Sequence, residues 1–274
     1  MKYLVLLACL SVAPLLAIPV EYNNNAWYTG LDPHLVGKRE NFLIQGITLD
    51  AVQDVSGFTG EFIAVLKFNY GGPTPEIGSL STMSPYDFAS GGIVSTLEAA
   101  DLFFRQSGVI RYGIPLVDHG GPGSLNGRAL GDGVFDQGDL YYIANGIQTI
   151  TSNQFLSQGL DAHLFGAGRT VWMTSATPNP AAVQSGTSQI SFHGECTDLF
   201  CPQAEYTVTL SMSGDALAGS EWYSFLMGIS DGTIAPYFTG AACGNDLLES
   251  SVPEPSTWAL YAAGVLVFAF RRRN

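Results

Sequence analysis

Three sets of residues in this sequence have the types and spacing to do chemistry. The first is Gly131-Asp132-Gly133-Val134-Phe135-Asp136-Gln137-Gly138-Asp139. Asp132, Asp136 and Asp139 set among glycines can fold around a hard cation. Calcium takes six to eight oxygens from a flexible loop, and Asn126 and backbone carbonyls would complete its shell. The spacing is not that of an EF-hand, because Val134 stands where the second ligand should be. An exposed acidic hairpin turn, using Asp and Gly for their backbone preferences, explains the same residues. The second set is the cysteines. Cys196, Cys201 and Cys243 lie in the body of the chain. In an oxidising compartment three cysteines make at most one internal disulfide. Either Cys196 joins Cys201, closing a local loop, or one of them joins Cys243 and pins the C-terminal segment. His193, three residues before Cys196, would be needed for a thiolate nucleophile or a zinc site, and neither pattern is complete.

The third set holds the hydrolase-like features. Gly228-Ile229-Ser230-Asp231-Gly232 spells Gly-x-Ser-x-Gly, which works only between a strand and a helix. The residues after it make a poor helix start, and His34, His119, His163 and His193 all precede the serine. Glu98 with Glu195 or Glu221 would be a carboxylate pair for glycoside chemistry, at a separation the sequence does not fix. His119, beside Asp118 and Gly120-Gly121, reads as a loop histidine that satisfies backbone groups. Sugar rings stack on exposed aromatics, for which Trp27, Tyr28, Trp172, Trp222 and Tyr223 are candidates, although core packing is the commoner use.

The elements that would position these residues are mostly strands. Glu205–Met212 alternates strictly, with Tyr206, Val208, Leu210 and Met212 on one face and hydroxyls on the other, so it predicts a half-buried antiparallel strand. Phe62–Phe68 reads as a more buried strand. Phe42–Leu49, Gly108–Val117, Leu140–Ile150, Ala162–Met173 and Gln189–His193 are further strands, separated by Gly91-Gly92, Gly120-Gly121-Pro122-Gly123, Asn126-Gly127 and Asn145-Gly146. Pro178–Thr187 reads as a flexible polar loop. Ser95–Arg105 and Ala218–Leu226 are open between helix and strand. Many short strands predict an all-β chain, an antiparallel, jelly-roll-like β-sandwich in one domain over residues 18–249.

Composition narrows the function classes. The 274 residues are 13% charged, with 24 acidic against 11 basic side chains and a net charge of -13. Nucleic-acid binding runs on Lys and Arg and is excluded on that balance. At the N-terminus, Lys2 followed by an apolar run to Leu16 predicts a secretory signal peptide over residues 1–17. At the C-terminus a polar, proline-rich stretch leads into the apolar run Trp258–Phe270, closed by Arg271, Arg272 and Arg273. The run is short for a span, and snorkelling arginines extend it as a single hydrophobic helix. Positive charge beyond it predicts a cytoplasmic tail with the body outside.

Val252-Pro253-Glu254-Pro255-Ser256-Thr257-Trp258-Ala259-Leu260, Gly264 and the arginine cluster together resemble the PEP-CTERM sorting signal, here residues 250–274. The resemblance implies a transient membrane anchor recognised by an exosortase, an inner-membrane cysteine transpeptidase or protease, with Pro253, Glu254 and Pro255 as recognition residues in a sorting motif of Val252–Pro255 and Arg271–Arg273. It further implies a Gram-negative, exopolysaccharide-making source. Ala100–Phe104, Tyr112–Leu116, Gly138–Tyr141 and Cys243–Asp246 are similar to blocks in other proteins with this signal, none tied to an activity. Without residues 1–17 and 253–274 the body has 7 basic and 23 acidic residues, a net charge of -16. Such a body stays soluble, attracts divalent cations and offers no convincing catalytic set. The expected function is therefore a non-enzymatic secreted or cell-surface protein of the exopolysaccharide matrix, exported and then processed. The expected partners are the exosortase, the secretion machinery, and exopolysaccharide or other matrix proteins. The alternatives are a carbohydrate-binding module and, behind it, a secreted polysaccharide hydrolase. No cofactor beyond calcium is expected.

Overall fold

Residues that alternate apolar and hydroxyl side chains bury one face and wet the other, and the first sheet is built on that rule. The computed structural model describes residues 20–23, 43–54, 57–68, 86–87, 92–93, 99–121, 131–144, 146–156, 168–193, 205–240 and 246–249. The signal peptide, Trp27, Tyr28, Glu98, Asn126, Glu195, the three body cysteines and the C-terminal tail lie outside the described residues. In chain order the strands are β1 (Val20–Asn23), β2 (Ile44–Asp54), β3 (Gly57–Phe68), β4 (Tyr86–Asp87), β5 (Gly92–Ile93), β6 (Leu102–Gln106), β7 (Val109–Ile114) and β8 (His119–Gly120). They continue as β9 (Val134–Phe135), β10 (Tyr141–Tyr142), β11 (Ile147–Thr151), β12 (Thr170–Ser175), β13 (Gly186–His193), β14 (Glu205–Ser213), β15 (Ile234–Phe238) and β16 (Leu248–Glu249). Among the described residues two helices, α1 (Ser152–Leu156) and α2 (Glu221–Ser230), interrupt them.

The first sheet has the order β1-β2-β3-β14-β13 and the second β10-β7-β6-β15-β16, each antiparallel throughout. Register aligns the apolar positions of the first sheet. Phe68, Leu66, Ala64 and Phe62 of β3 stand opposite Tyr206, Val208, Leu210 and Met212 of β14, and all eight are buried. Their neighbours Ile63, Val65, Thr207 and Thr209 are half-buried, so the second face of β3 is partly covered. Its buried face meets the second sheet directly. Phe62 lies 6.2 Å from Phe104 of β6, and Phe68 lies 5.6 Å from Phe238 of β15. The arrangement is a β-sandwich.

The second sheet is buried on both faces. Leu102, Phe104, Ile114, Ile234 and Phe238 join the core between the sheets. Phe103 and Tyr237 point the other way, into a second cluster with Phe135, Tyr141 and Met173. Ser95–Arg105 is thereby resolved at its C-terminal end as strand β6, since three consecutive buried residues need two apolar faces rather than one stripe. The hairpin into β7 turns on Ser107 and Gly108, both at positive φ (51° and 77°), as a two-residue turn of the primed type requires. Residues 140–150 form two strands, β10 and β11, in place of the single one expected. Pro178–Thr187 is tied rather than free. Val183 N–H donates to the Leu140 carbonyl, Leu140 N–H to the Gln184 carbonyl, and the segment ends inside β13.

The other open segment is helical. Ser220 caps α2 by accepting the Tyr223 N–H at 3.1 Å, and the helix buries Trp222, Phe225, Leu226, Gly228 and Ile229. Phe225 is a wedge between the sheets. Its ring lies 5.0 Å from Phe62, 5.1 Å from Phe104 and 5.1 Å from Tyr112.

Candidate functional site

Asp101, just before β6, is fully buried, and so is His119 at the start of β8. The imidazole Nε2 lies 2.9 Å from Asp101 Oδ1 and 3.1 Å from Oδ2. Met173 N–H donates to Oδ2 at 2.7 Å. Trp172 packs edge-on against the imidazole at 4.3 Å, with Phe135 at 5.2 Å. Burial pushes the Asp101 carboxyl up, against the opposing pull of His119 and the Met173 N–H. His119 Nδ1 is buried without a hydrogen-bond partner among the described residues. A bare Nδ1 leaves only an acceptor orphaned, so the arrangement suits an imidazole that carries its proton on Nε2 and donates it to the carboxylate. Both side chains have zero exposure. The pair is a pin joining β6, β8 and β12. His119 does not serve backbone groups as expected; its partner is Asp101, 18 residues away, which nothing in the local sequence announces.

The acidic segment sits beside this pin. Asp132 and Asp136 are exposed and Asp139 is half-buried. Asp139 Oδ1 accepts the Gly186 N–H at 2.9 Å, which ties the segment to β13. Asp139 N–H donates to the Asp136 carbonyl at 3.3 Å, closing a turn with Gly138 at φ +90°. The glycines serve close backbone packing. A side chain on Gly133 would meet Ser175 Cβ at 2.6 Å, and one on Gly138 would meet the Thr187–Ser188 backbone at 3.2 and 3.3 Å. Among the described residues, no group of three or more His, Cys, Asp or Glu is arranged to hold a metal ion.

An open groove of about 580 Å³ runs between this turn and the edge strand β13, lined by Asp118, Gln137, Gly186, Thr187, Ser188 and Ile190. Its polar groups are held in place. Gln137 N–H donates to Asp118 Oδ1 at 2.7 Å, and the Gln137 amide donates to Ser188 Oγ. A carboxylate, an amide and two hydroxyls along a groove can exchange hydrogen bonds with a hydroxyl-rich ligand.

The remaining candidates are placed as follows. Trp172 and Trp222 are 0% and 3% exposed, so neither can stack on a sugar; each fills core. Tyr223 is half-buried. Ser230 ends helix α2 and β15 follows it, so Gly228–Gly232 has the helix before the serine and the strand after it, the reverse of a nucleophile elbow. Glu221 accepts the Tyr112 hydroxyl at 3.1 Å. His193 ends β13, paired in register with Glu205.

The chain's last described strand, β16, pairs Leu248 with Phe238 and Glu249 with Tyr237. No curated protein and no solved structure matches the chain. Directly beyond β16, residues 251–273 match the PEP-CTERM protein-sorting motif, and the chain is in this respect like the substrates of an exosortase.

Proposed function

We propose that this is a secreted or cell-surface protein of an exopolysaccharide matrix, which works by binding rather than catalysis and loses its tail to an exosortase. The sorting motif at residues 251–273 carries this reading, since it supports export and surface or extracellular placement. The apolar run Trp258–Phe270 with Arg271–Arg273 would hold the chain in the membrane until then. In each large sheet an early strand pairs with a late one, β3 with β14 and β6 with β15, which supports the jelly-roll-like form. The test is intact mass of the mature protein from hosts with and without an active exosortase. The C-terminal peptide is absent in the first and present in the second; its persistence in both would overturn the reading.

The groove beside β13 favours a second reading within the first, that the ligand is a neutral or amino-sugar glycan. An acidic glycan would be repelled by a body of net charge -16. Residues 18–252 are expected to co-sediment saturably with the producing organism's exopolysaccharide. Loss of that binding in chelator would point to a bound cation, with Asp132, Asp136 and Asp139 the residues to substitute. An oxidising destination also favours one disulfide among Cys196, Cys201 and Cys243, and non-reducing peptide mapping that finds three free thiols would refute it.

A further inference from the structure

The residues just before the sorting motif are fastened to both sheets. Asp246 is fully buried, and its Oδ2 accepts the N–H of Ile44, the first residue of β2, at 2.8 Å. Its Oδ1 accepts the Leu247 N–H at 2.9 Å. Leu248 is 3% exposed and belongs to the core between the sheets. Glu249 forms an ion pair with Arg105 of β6, whose guanidinium lies 4.2 Å over the Tyr237 ring. Yet the strand is only two residues long, at the edge of its sheet, and both ion-pair side chains are partly exposed. Such a segment can open without the rest of the fold.

Chain geometry gives that opening a consequence. An extended chain spans about 3.5 Å per residue. With β16 seated, Pro253 stays within about 14 Å of Glu249, and Trp258 within about 31 Å. The next described residue upstream is Gly240, whose carbonyl accepts the Ala100 N–H at 2.9 Å. Measured from Gly240, the chain length allows Trp258 at most about 63 Å, twice as far.

We propose that Asp246–Glu249 is a clasp that governs processing of the tail. Seated, it limits Pro253 to within about 14 Å of Glu249; detached, it lets the motif reach a membrane-embedded processing enzyme. This rests on the reading of the tail as a processed anchor.

The first test needs no exosortase. Full-length protein in detergent micelles is treated with a Glu-specific protease, and release of the 250–274 peptide is followed by mass spectrometry. Cutting after Glu249 requires β16 to leave its sheet. Arg105→Gln is expected to raise the rate by about two- to fivefold, the size of one partly exposed ion pair. Asp246→Asn, which sets an amide against the Ile44 N–H, is expected to raise it by about tenfold or more. Equal rates in wild type and both variants would overturn the clasp. The second test follows tail loss by pulse labelling in an exosortase-active host. Arg105→Gln is expected to lose the tail faster by the same factor as its protease rate, and Glu249→Gln, which breaks the same ion pair but removes the protease site, is expected to match it. Faster protease cutting with unchanged or slower tail loss would overturn the link to processing. A wild-type chain that keeps its tail would instead overturn the processing reading itself, while the protease rates still decide whether the clasp opens. Should Asp246→Asn fail to fold, Glu249→Gln on its exposed side chain carries the host arm with Arg105→Gln.

Discussion

The two large sheets face each other across one core but use their outer faces differently. The outer face of the first sheet is polar and wet: register sets Thr48 beside Val65, Val65 beside Thr209, and Thr209 beside Gln189. The outer face of the second sheet is covered, with Phe103 and Tyr237 packed under Phe135, Tyr141 and Met173. A sheet with one wet face can vary there without loss of stability. A sheet with two dry faces must give a buried carboxylate a partner inside the fold, and that is where Asp101 meets His119.

The largest expected effect tests this asymmetry directly. Phe103→Ala should destabilise the body by about 3–5 kcal/mol, as a buried aromatic truncation does. Thr209→Ala, on the outer face of the other sheet, should cost under about 1 kcal/mol. Denaturant midpoints of the two variants decide it, and comparable losses would mean that the first sheet is covered as well.

Legibility in the sequence follows the same divide. β14 stands as its alternation predicts, and β13 extends only a few residues beyond Gln189–His193, because a half-wet strand writes its fold as a period of two. β6 and β15 do not alternate. Leu102-Phe103-Phe104 and Ile234–Phe238 are buried throughout, so periodicity cannot separate strand from helix there. Pro236 makes this stretch a poor helix start. It is tolerated in β15 because β16 pairs only with Tyr237 and Phe238, leaving no second ladder at the proline. The sorting motif was legible because its chemistry is contiguous. The Asp101–His119 pin and the groove were not, since their members come from separate segments of the chain that only the fold joins.

The second effect concerns the pin. Asp101→Leu or His119→Leu alone should destabilise by about 3–5 kcal/mol, because each leaves a buried polar partner behind. The double variant should recover much of that loss, since two apolar side chains replace both members. A double-mutant cycle on thermal or denaturant unfolding measures the recovery. Strict additivity would mean that the two residues act separately.

A third, smaller effect is shared between the sheets. Burial pushes the hydroxyls of Tyr141 in the second sheet and Tyr206 in the first from 10.0 up to about 12. Tyr22, Tyr112 and Tyr237 move in the same direction, chiefly from burial. A folded value above the unfolded one gives stability that is complete below pH 10 and lost as pH rises through 12. The protein should therefore hold its melting temperature at neutral pH and lose it steeply in alkali. Phenolate absorbance should appear together with unfolding, and a gradual, reversible titration without unfolding would show these rings to be solvent-accessible.

The smallest effect is a gain, in the turn that joins β6 to β7. Ser107 occupies φ 51°, a conformation that costs a non-glycine residue energy, while Gly108 at φ 77° meets it freely. Asparagine tolerates that region better than serine, and Asn-Gly is the preferred pair for a primed two-residue turn. Ser107→Asn should stabilise the body by about 0.5 kcal/mol, and Gly108→Ala should destabilise it by about 1 kcal/mol. Nothing within 4 Å would meet the added Cβ at Gly108, so a loss there is backbone strain alone. Because β6 carries Arg105 as well as Phe103, a firmer hairpin should also slow protease cutting after Glu249. That links the turn to the C-terminal clasp through one strand, and independent responses of turn and clasp would show that β6 does not transmit between them.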